Sequence, residues 1–161
     1  MEKPEEKSQC WLDPMSMPPR RGSIYPAPFV DPLAGREKRA LGDPLGLKQF
    51  GVNLVTLAPG AWSSQRHWHA HEDEFIYVLE GEVTLVTDAG EKILGAGMAA
   101  GFPAGRADGH HLINRSDAPV LYLEVGTRAE SEEAQYSDID MMARKENGRF
   151  VLMRKNGEPY P

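Results

Sequence analysis

The chain has 161 residues, 40% of them hydrophobic, which is enough for one domain with a single core and short tails. Its net charge of −6 argues against a duplex nucleic-acid binder, which normally has a basic face, and is too small for an acidic disordered protein. One cysteine excludes an internal disulfide framework, and the sequence has neither a signal-peptide core nor an apolar run of ~20 residues, so we expect a cytoplasmic protein that does not cross a membrane.

The first 44 residues are predicted to form a tail followed by an arm. Charged residues and four prolines dominate up to about residue 23, without any periodicity. The next segment, IYPAPFVDPLAGR (residues 24–36), mixes three prolines with apolar side chains. Two interpretations stay open for it: an extended arm lying on an apolar surface, or an ordinary loop.

Residues 45–127 are predicted to form one all-β domain. Runs that favour β-structure occur at 50–57, 74–79, 82–87, 110–114 and 120–125, and turn signals rich in Gly, Pro and Asp separate them. Short strands at this spacing are typical of a sandwich or a barrel. No window of about 12 residues carries a helical stripe in this region.

Residues 128–161 are predicted to form a C-terminal segment. An acidic stretch with Glu130, Glu132 and Glu133 is interpreted as a solvated face that has room for a helical turn. Asn-Gly at 147–148 is a hairpin signal, so we expect a last strand within residues 149–155 that pairs with a sheet edge.

The segment RHWHAHEDEFIYVLEG, residues 66–81, concentrates potential metal ligands. Side chains two apart on a strand share a face, so His67 and His69 can point into one cavity. Glu74 has the wrong parity for the same strand. It joins them if the chain reverses between residues 70 and 73 and Glu74 starts the neighbouring antiparallel strand. Two imidazoles and a carboxylate are the beginning of a transition-metal site, and residues 97–114 offer a third histidine.

With these motifs the chain resembles the cupins. The first cupin motif is matched by Gly60, His67, His69, Glu74 and Gly81. The second cupin motif is matched by Gly97, Pro103, Gly105, His110 and Asn114. The spacer between Gly105 and His110 is two residues longer than in the usual pattern. The resemblance covers roughly residues 50–126, and the whole chain also resembles small bacterial single-cupin proteins without an assigned function.

The resemblance implies an all-β fold: a double-stranded β-helix, the cupin jelly-roll barrel of the RmlC type, with extended N- and C-terminal arms. It implies one divalent transition metal held by His67, His69, Glu74 and His110, with Fe, Mn, Ni, Co and Zn all compatible. Two alternatives stay open: His71 can enter the ligand set, and His111 can replace His110 if a β-bulge inverts the strand. His110 is favoured because the motif histidine precedes an asparagine by four residues.

The expected function is that of a metal-dependent enzyme acting on a small molecule, because this ligand set leaves positions open for a substrate. Cupins of this type include dioxygenases, sugar-phosphate isomerases, decarboxylases and lyases. No second catalytic base has a distinctive spacing, so the catalytic residues stay unassigned. Arg106, in the loop before His110, is the best of three arginines for an anionic substrate group, although a solvated charge explains each of them more simply.

Two other functions are considered. The first is a non-catalytic cupin that binds or senses a small molecule, and the second is a structural cupin without metal, which the presence of all four ligand types disfavours. In each case we expect a homodimer. The proline-rich arm and the last strand carry apolar side chains that one small barrel does not cover, and an edge strand needs a partner.

Overall fold

The computed structural model describes residues 10–160. Within them the chain forms twelve β-strands and three short 3₁₀ helices, and no α-helix. No helix in this range has the length and hydropathy to span a bilayer. The strands are β1 (Arg36–Ala40), β2 (Phe50–Leu57), β3 (His67–His69), β4 (Glu74–Glu80), β5 (Glu82–Thr87), β6 (Gly90–Gly95), β7 (Ala99–Phe102), β8 (His111–Ile113), β9 (Val120–Thr127), β10 (Glu133–Tyr136), β11 (Met142–Glu146) and β12 (Arg149–Met153).

The strands form three antiparallel sheets. A five-stranded sheet has the order β1-β2-β9-β4-β7, a three-stranded sheet the order β6-β5-β8, and a four-stranded sheet the order β12-β11-β10-β3. Sheets joined only by antiparallel pairings need no helical crossover, which agrees with the absence of α-helix between residues 10 and 160. The all-β jelly roll predicted from the sequence is confirmed.

The main core lies between the five-stranded and three-stranded sheets. Alternation along β4 buries Ile76 and Val78, and alternation along β9 buries Val120 and Tyr122. The complete cluster of buried residues is Val55, Leu57, Ala61, Ile76, Val78, Val83, Leu94, Leu112, Val120 and Tyr122. Ile76, Leu112 and Tyr122 of this core also line the cavity that the polar residues of the inner faces border.

The C-terminal segment forms strands in the acidic stretch where the sequence left room for a helical turn. In β10, Ala134 and Tyr136 are buried while Glu133 and Gln135 are only half-buried, so the period of two is present within four residues. Four residues are too few for a period of two to stand out in a sequence. β11 and β12 are joined at Asn147 and Gly148, which both have positive φ (50° and 77°), as a tight hairpin turn requires.

The N-terminal arm is neither fully extended nor free. It turns at residues 27–30 and forms a 3₁₀ helix at Asp31–Leu33. Tyr25 and Phe29 pack against a second cluster of buried residues from the C-terminal segment. That cluster consists of Ala134, Tyr136, Met141 and Ala143. The two ends of the chain therefore pack on each other beside the four-stranded sheet.

Candidate metal centre

Two strand segments bring the histidines together. His67, at the start of β3, lies directly opposite His110, and each backbone N–H donates to the other's carbonyl oxygen at 3.2 and 2.8 Å. His69 lies two residues along the same face of β3. Because these two backbone hydrogen bonds join His67 and His110, they fix the spacing of the two imidazoles.

Glu74 reaches these imidazoles from a different sheet. It begins β4, as the sequence predicts, but β4 pairs with β7 and β9, whereas β3 pairs with β10. The expectation that the histidine strand and the Glu74 strand are hydrogen-bonded neighbours is therefore wrong. The chain between Ala70 and Asp73 crosses from one sheet to another, and Glu74 faces the histidines across the barrel.

The donor atoms of these four residues converge. The Oε2 atom of Glu74 lies 2.6 Å from Nε2 of His110, 3.5 Å from Nε2 of His69 and 3.8 Å from Nε2 of His67. The Nε2 atoms of His67 and His69 are 3.1 Å apart. The donor atoms of His67, His69 and Glu74 all lie within 4.8 Å of one another, and His110 joins that set through Glu74. Adjacent ligands on one transition-metal ion, with bonds of about 2.1 Å, are about 3 Å apart, so the donors of His67, His69 and Glu74 fit such an ion, with His110 against Glu74.

The two alternative histidines lie elsewhere. His111 is buried against Trp62, with ring centroids 4.8 Å apart, and its Nδ1 contacts the carbonyl oxygen of Ser64 at 3.0 Å. His71 is exposed at the turn after β3. The ring of His110 instead stacks on Phe102 at 3.6 Å and points to the cluster. The structure thus brings His67, His69, Glu74 and His110 together, and their role as ligands stays a prediction.

The longer spacer before His110 ends in a tight contact. A Cβ atom on Gly109 would lie 1.9 Å from Oγ of Ser137, so only glycine fits there without displacement of its neighbour. After His110, Leu112 and Asn114 are buried on the same face of the strand, whereas His111 is buried on the other face against Trp62. Asn114 donates to the carbonyl oxygens of Leu57 and Ala118 at 2.9 and 2.8 Å. These contacts anchor the histidine strand at both of its ends.

Burial and the nearby charges set the protonation of the cluster. Burial lowers the pKa of His67 to about 3, against the opposing charge of Glu74. Burial acts to raise the pKa of Glu74, but its contacts with His110 and His69 outweigh burial and hold that pKa well below its usual value. Burial likewise acts to lower the pKa of His69, and the contact with Glu74 outweighs it, so that pKa is raised. A neutral His67 and an ionised Glu74 are the forms that bind a cation.

A buried carboxylate that sequence analysis placed on a solvated face supports His69. The side chain of Glu132 is 0% exposed, because it precedes β10 and folds under the turn after β3. It accepts backbone N–H groups of Ala70, His71 and Glu133 at 2.9, 3.0 and 2.9 Å. Its Oε1 atom lies 3.6 Å from Nδ1 of His69, beyond hydrogen-bond distance, and its negative charge favours the tautomer with the proton on Nδ1, which leaves Nε2 free to ligate. Nothing in the sequence distinguishes Glu132 from the neighbouring Glu130 and Glu133, so its burial could not be predicted.

The cluster forms part of the wall of a cavity of about 400 Å³. Polar residues of β1, β2 and β9 line the same cavity, and none of them was singled out as a binding residue from the sequence. They are Lys38, Asn53, Tyr122 and Glu124. The arginines considered for substrate binding lie outside it: Arg66 pairs with Asp138 and Asp88, and Arg115 with Glu91. Arg106, 70% exposed, lies 3.9 Å from Asp108, so a solvated charge describes it.

Comparison with known proteins gives one family and a set of similar structures. Residues 53–126 match the model of the cupin domain. A sugar phosphate isomerase of the cupin superfamily from Silicibacter pomeroyi is 48% identical, with a TM-score of 0.90 over 94% of this chain and 96% of that one. A protein from Acidithiobacillus ferrooxidans, provisionally described as a sugar phosphate isomerase, is 28% identical, with a TM-score of 0.70 over 78% and 80% of the two chains.

A more distant structural neighbour shows a likeness of fold alone. The polyketide cyclase RemF from Streptomyces resistomycificus is 24% identical, with a TM-score of 0.57 over 73% of this chain and 78% of that one. No curated protein gives a significant match.

Proposed function

The chain belongs to the cupin superfamily, and on that premise we propose that it is a metal-dependent enzyme acting on a small polar molecule. The observation that carries the proposal is the convergence of three imidazole nitrogens and one carboxylate oxygen in the wall of a 400 Å³ cavity. A cavity of this volume accommodates a small metabolite.

We propose that His67, His69, Glu74 and His110 hold one divalent ion, for which Fe, Mn, Ni, Co and Zn are the candidates. Three nitrogens and one oxygen suit these ions better than Mg²⁺ or Ca²⁺, which prefer oxygen ligands. When bound, such an ion supplies Lewis-acid polarisation of a substrate oxygen. The chain's own contribution is the fixed orientation of the imidazoles by the strand bridge, by Phe102 and by Glu132.

Among the reaction types expected from the sequence, we propose isomerisation of a phosphorylated sugar. Its support is that two of the similar structures, at 48% and 28% identity, are described as a sugar phosphate isomerase, one of them provisionally. The other polar residues of the cavity wall are also suited to a hydroxylated substrate. Dioxygenase or lyase chemistry, and binding without turnover, are the other outcomes of the test.

The test begins with protein purified without an affinity tag. Mass spectrometry of the metal content should give one transition-metal ion per chain, and the double variant His67→Ala/His69→Ala should lose it. Aldose and ketose phosphates of three to six carbons are then followed by proton NMR, with an oxygen electrode in parallel. Isomerisation without oxygen uptake supports the proposal. Stoichiometric metal in the double variant contradicts the ligand set, and tight binding of a sugar phosphate without turnover supports a binding protein instead.

We also propose a homodimer, in which a second copy covers the outer face of β4. Phe75, Tyr77, Leu79 and Met98 are 38–43% exposed on that face. Together they offer roughly 300 Å² of apolar surface, about a third of the ~800 Å² per partner of a standard interface. The predicted contribution of the arms supplies more area. Light scattering should give about twice the chain mass of 17.8 kDa, and Tyr77→Glu should give a monomer. A wild-type monomer at micromolar concentration contradicts the proposal.

A further inference from the structure

A second carboxylate lies in the cavity, and the metal site does not use it. Glu124 is on β9, and its side chain is 16% exposed. Its Oε1 atom accepts from Nζ of Lys38 at 2.7 Å and from Nδ2 of Asn53 at 3.2 Å. Within residues 10–160 its Oε2 atom has no hydrogen-bond partner. The two bonds to one oxygen hold the carboxylate in a single orientation and leave the other oxygen free.

Strand register puts this carboxylate beside the metal cluster. On the β4–β9 ladder Glu74 pairs with Gly126, and Ile76 pairs with Glu124. Glu74 and Glu124 are therefore diagonal neighbours on the inner face, with Cβ atoms about 7–8 Å apart. Gly126 places no side chain between them, and a Cβ atom there would meet only the carbonyl oxygen of Asp73, at 3.6 Å.

The cations of the cavity do not form a free phosphate site. Lys38 is paired with Glu124, and Arg128 is paired with Asp43 and donates to the carbonyl oxygen of Leu47. Arg36 uses both terminal nitrogens on carbonyl oxygens, those of Ser63 at 2.5 Å and Gly22 at 2.8 Å. The free oxygen of Glu124 is instead a hydrogen-bond acceptor and a base, which suits an uncharged, hydroxylated part of a ligand. Nearby on β9, the fully buried hydroxyl of Tyr122 has no hydrogen-bond partner among the described residues, so it is also available to bond to a ligand in the cavity.

We propose that Glu124 is the catalytic base of this site, positioned by Lys38 and Asn53, and that its substrate is an α-hydroxy carbonyl compound of the sugar class. This inference rests on the proposed isomerase function. It names the residue that moves the proton, for which sequence spacing offered no candidate.

The step balances without an oxidant or a reductant. Oε2 of Glu124 takes the proton from the carbon that bears the hydroxyl next to the carbonyl. The electron pair of that C–H bond forms a carbon–carbon double bond, and the π pair of the carbonyl moves to its oxygen. Glu124 returns the proton to the other carbon, the hydroxyl proton moves to the former carbonyl oxygen, and the carbonyl is thereby shifted by one carbon. A positioned base of this kind contributes about 10²–10⁴-fold to the rate.

The test uses the metal-loaded protein in D₂O with aldose and ketose phosphates of three to six carbons. Proton NMR follows deuterium entry at the carbon next to the carbonyl. Glu124→Gln should lower the exchange rate at least ~100-fold, while metal content, melting temperature and calorimetric affinity for the same sugar phosphate change little. Glu91→Gln, which removes an exposed carboxylate paired with Arg115, is the matched control and should exchange at the wild-type rate.

A second variant separates chemistry from structure. Glu124→Ala opens space for a small carboxylate, so added formate should restore exchange in a saturable way, whereas a purely structural role of the Lys38–Glu124 pair gives no such rescue. Wild-type exchange that persists in Glu124→Gln overturns the assignment and leaves the isomerase function intact. A wild-type protein that holds metal but exchanges none of the sugar phosphates overturns both.

Discussion

Removal of the buried carboxylate behind His69 should weaken both the fold and the metal site. In Glu132→Ala the backbone N–H groups of His71 and Glu133 lose their acceptor, whereas that of Ala70 keeps the carbonyl oxygen of Glu133 at 2.8 Å. A fully buried donor without a partner costs about 1–3 kcal/mol, and because these two N–H groups are only partly buried we expect about 1–3 kcal/mol for both together. For a chain of this length that lowers the melting temperature by about 2–12 °C.

The same variant removes the negative charge 3.6 Å from Nδ1 of His69. A hydrogen-bonded partner of a ligating histidine typically contributes 10–100-fold to metal affinity, and this longer, purely electrostatic contact corresponds to the lower end, about 10-fold. We therefore expect a loss of about that size in competition titrations with a chelator. Thermal melts of metal-free protein give the structural part separately. Glu132→Gln keeps the shape and one acceptor oxygen, so its loss of unfolding free energy should be about half that of Glu132→Ala.

The neighbouring Glu133→Ala is the control, because that carboxylate is one-third exposed and contacts Arg144 at 3.4 Å. An exposed pair of this type contributes about 0–1 kcal/mol. Equal melting temperatures for Glu132→Ala and Glu133→Ala would refute the structural argument. An unchanged metal affinity in Glu132→Ala would refute the argument from the tautomer.

Three further predictions concern the histidine strands. His110→Ala should lose the bound metal while His111→Ala keeps it, as measured by mass spectrometry; the reverse result would mean that the ligand set is wrong at that position. In metal-free protein the folded pKa of His67, about 3, lies below the ~6.5 of an unfolded chain, so the unfolded state binds the extra proton between these values. Through His67, the free energy of unfolding should therefore fall on acidification below pH ~6.5, by up to ~1.4 kcal/mol per pH unit. The raised pKa of His69 has the opposite effect, since it favours the folded state as the pH falls, and it masks part of this loss. Urea unfolding at pH 7 and pH 5 should show a smaller difference in His67→Gln than in wild type, and an identical difference would contradict the assignment. Gly109→Ala should cost about 1–3 kcal/mol, because its Cβ would lie 1.9 Å from Oγ and 3.0 Å from Cβ of Ser137. The double variant Gly109→Ala/Ser137→Gly should recover most of that stability in thermal melts, and no recovery would mean that the cost arises elsewhere.

Local spacing in the sequence was sufficient for much of the fold and for the composition of the cluster. The strands at 50–57 and 82–87 have the predicted bounds, because alternation over six to eight residues is a local property of the chain. His67, His69, Glu74 and His110 were named from two motifs, and the structure brings their side chains together. Strand parity allows only one of His110 and His111 to point inward, and the motif, whose histidine precedes an asparagine by four residues, favoured His110. The division of the chain at residues 44 and 127 stays a prediction.

Other features depend on which strands meet, and the sequence does not carry that information locally. The strand Arg36–Ala40 is charged and has no apolar alternation. It nevertheless pairs with β2 along its whole length, because a strand at the edge of a sheet tolerates charges. Only the pairing of β3 with β10 buries Glu132 under the histidine turn. Lys38, Asn53 and Glu124 come from three distant segments of the chain. The registers of β1, β2 and β9 place the side chains of Lys38 and Asn53 against the carboxylate of Glu124. Motif spacing thus determined what the cluster is made of, whereas cross-strand register, which links residues far apart in the chain, decided what surrounds it.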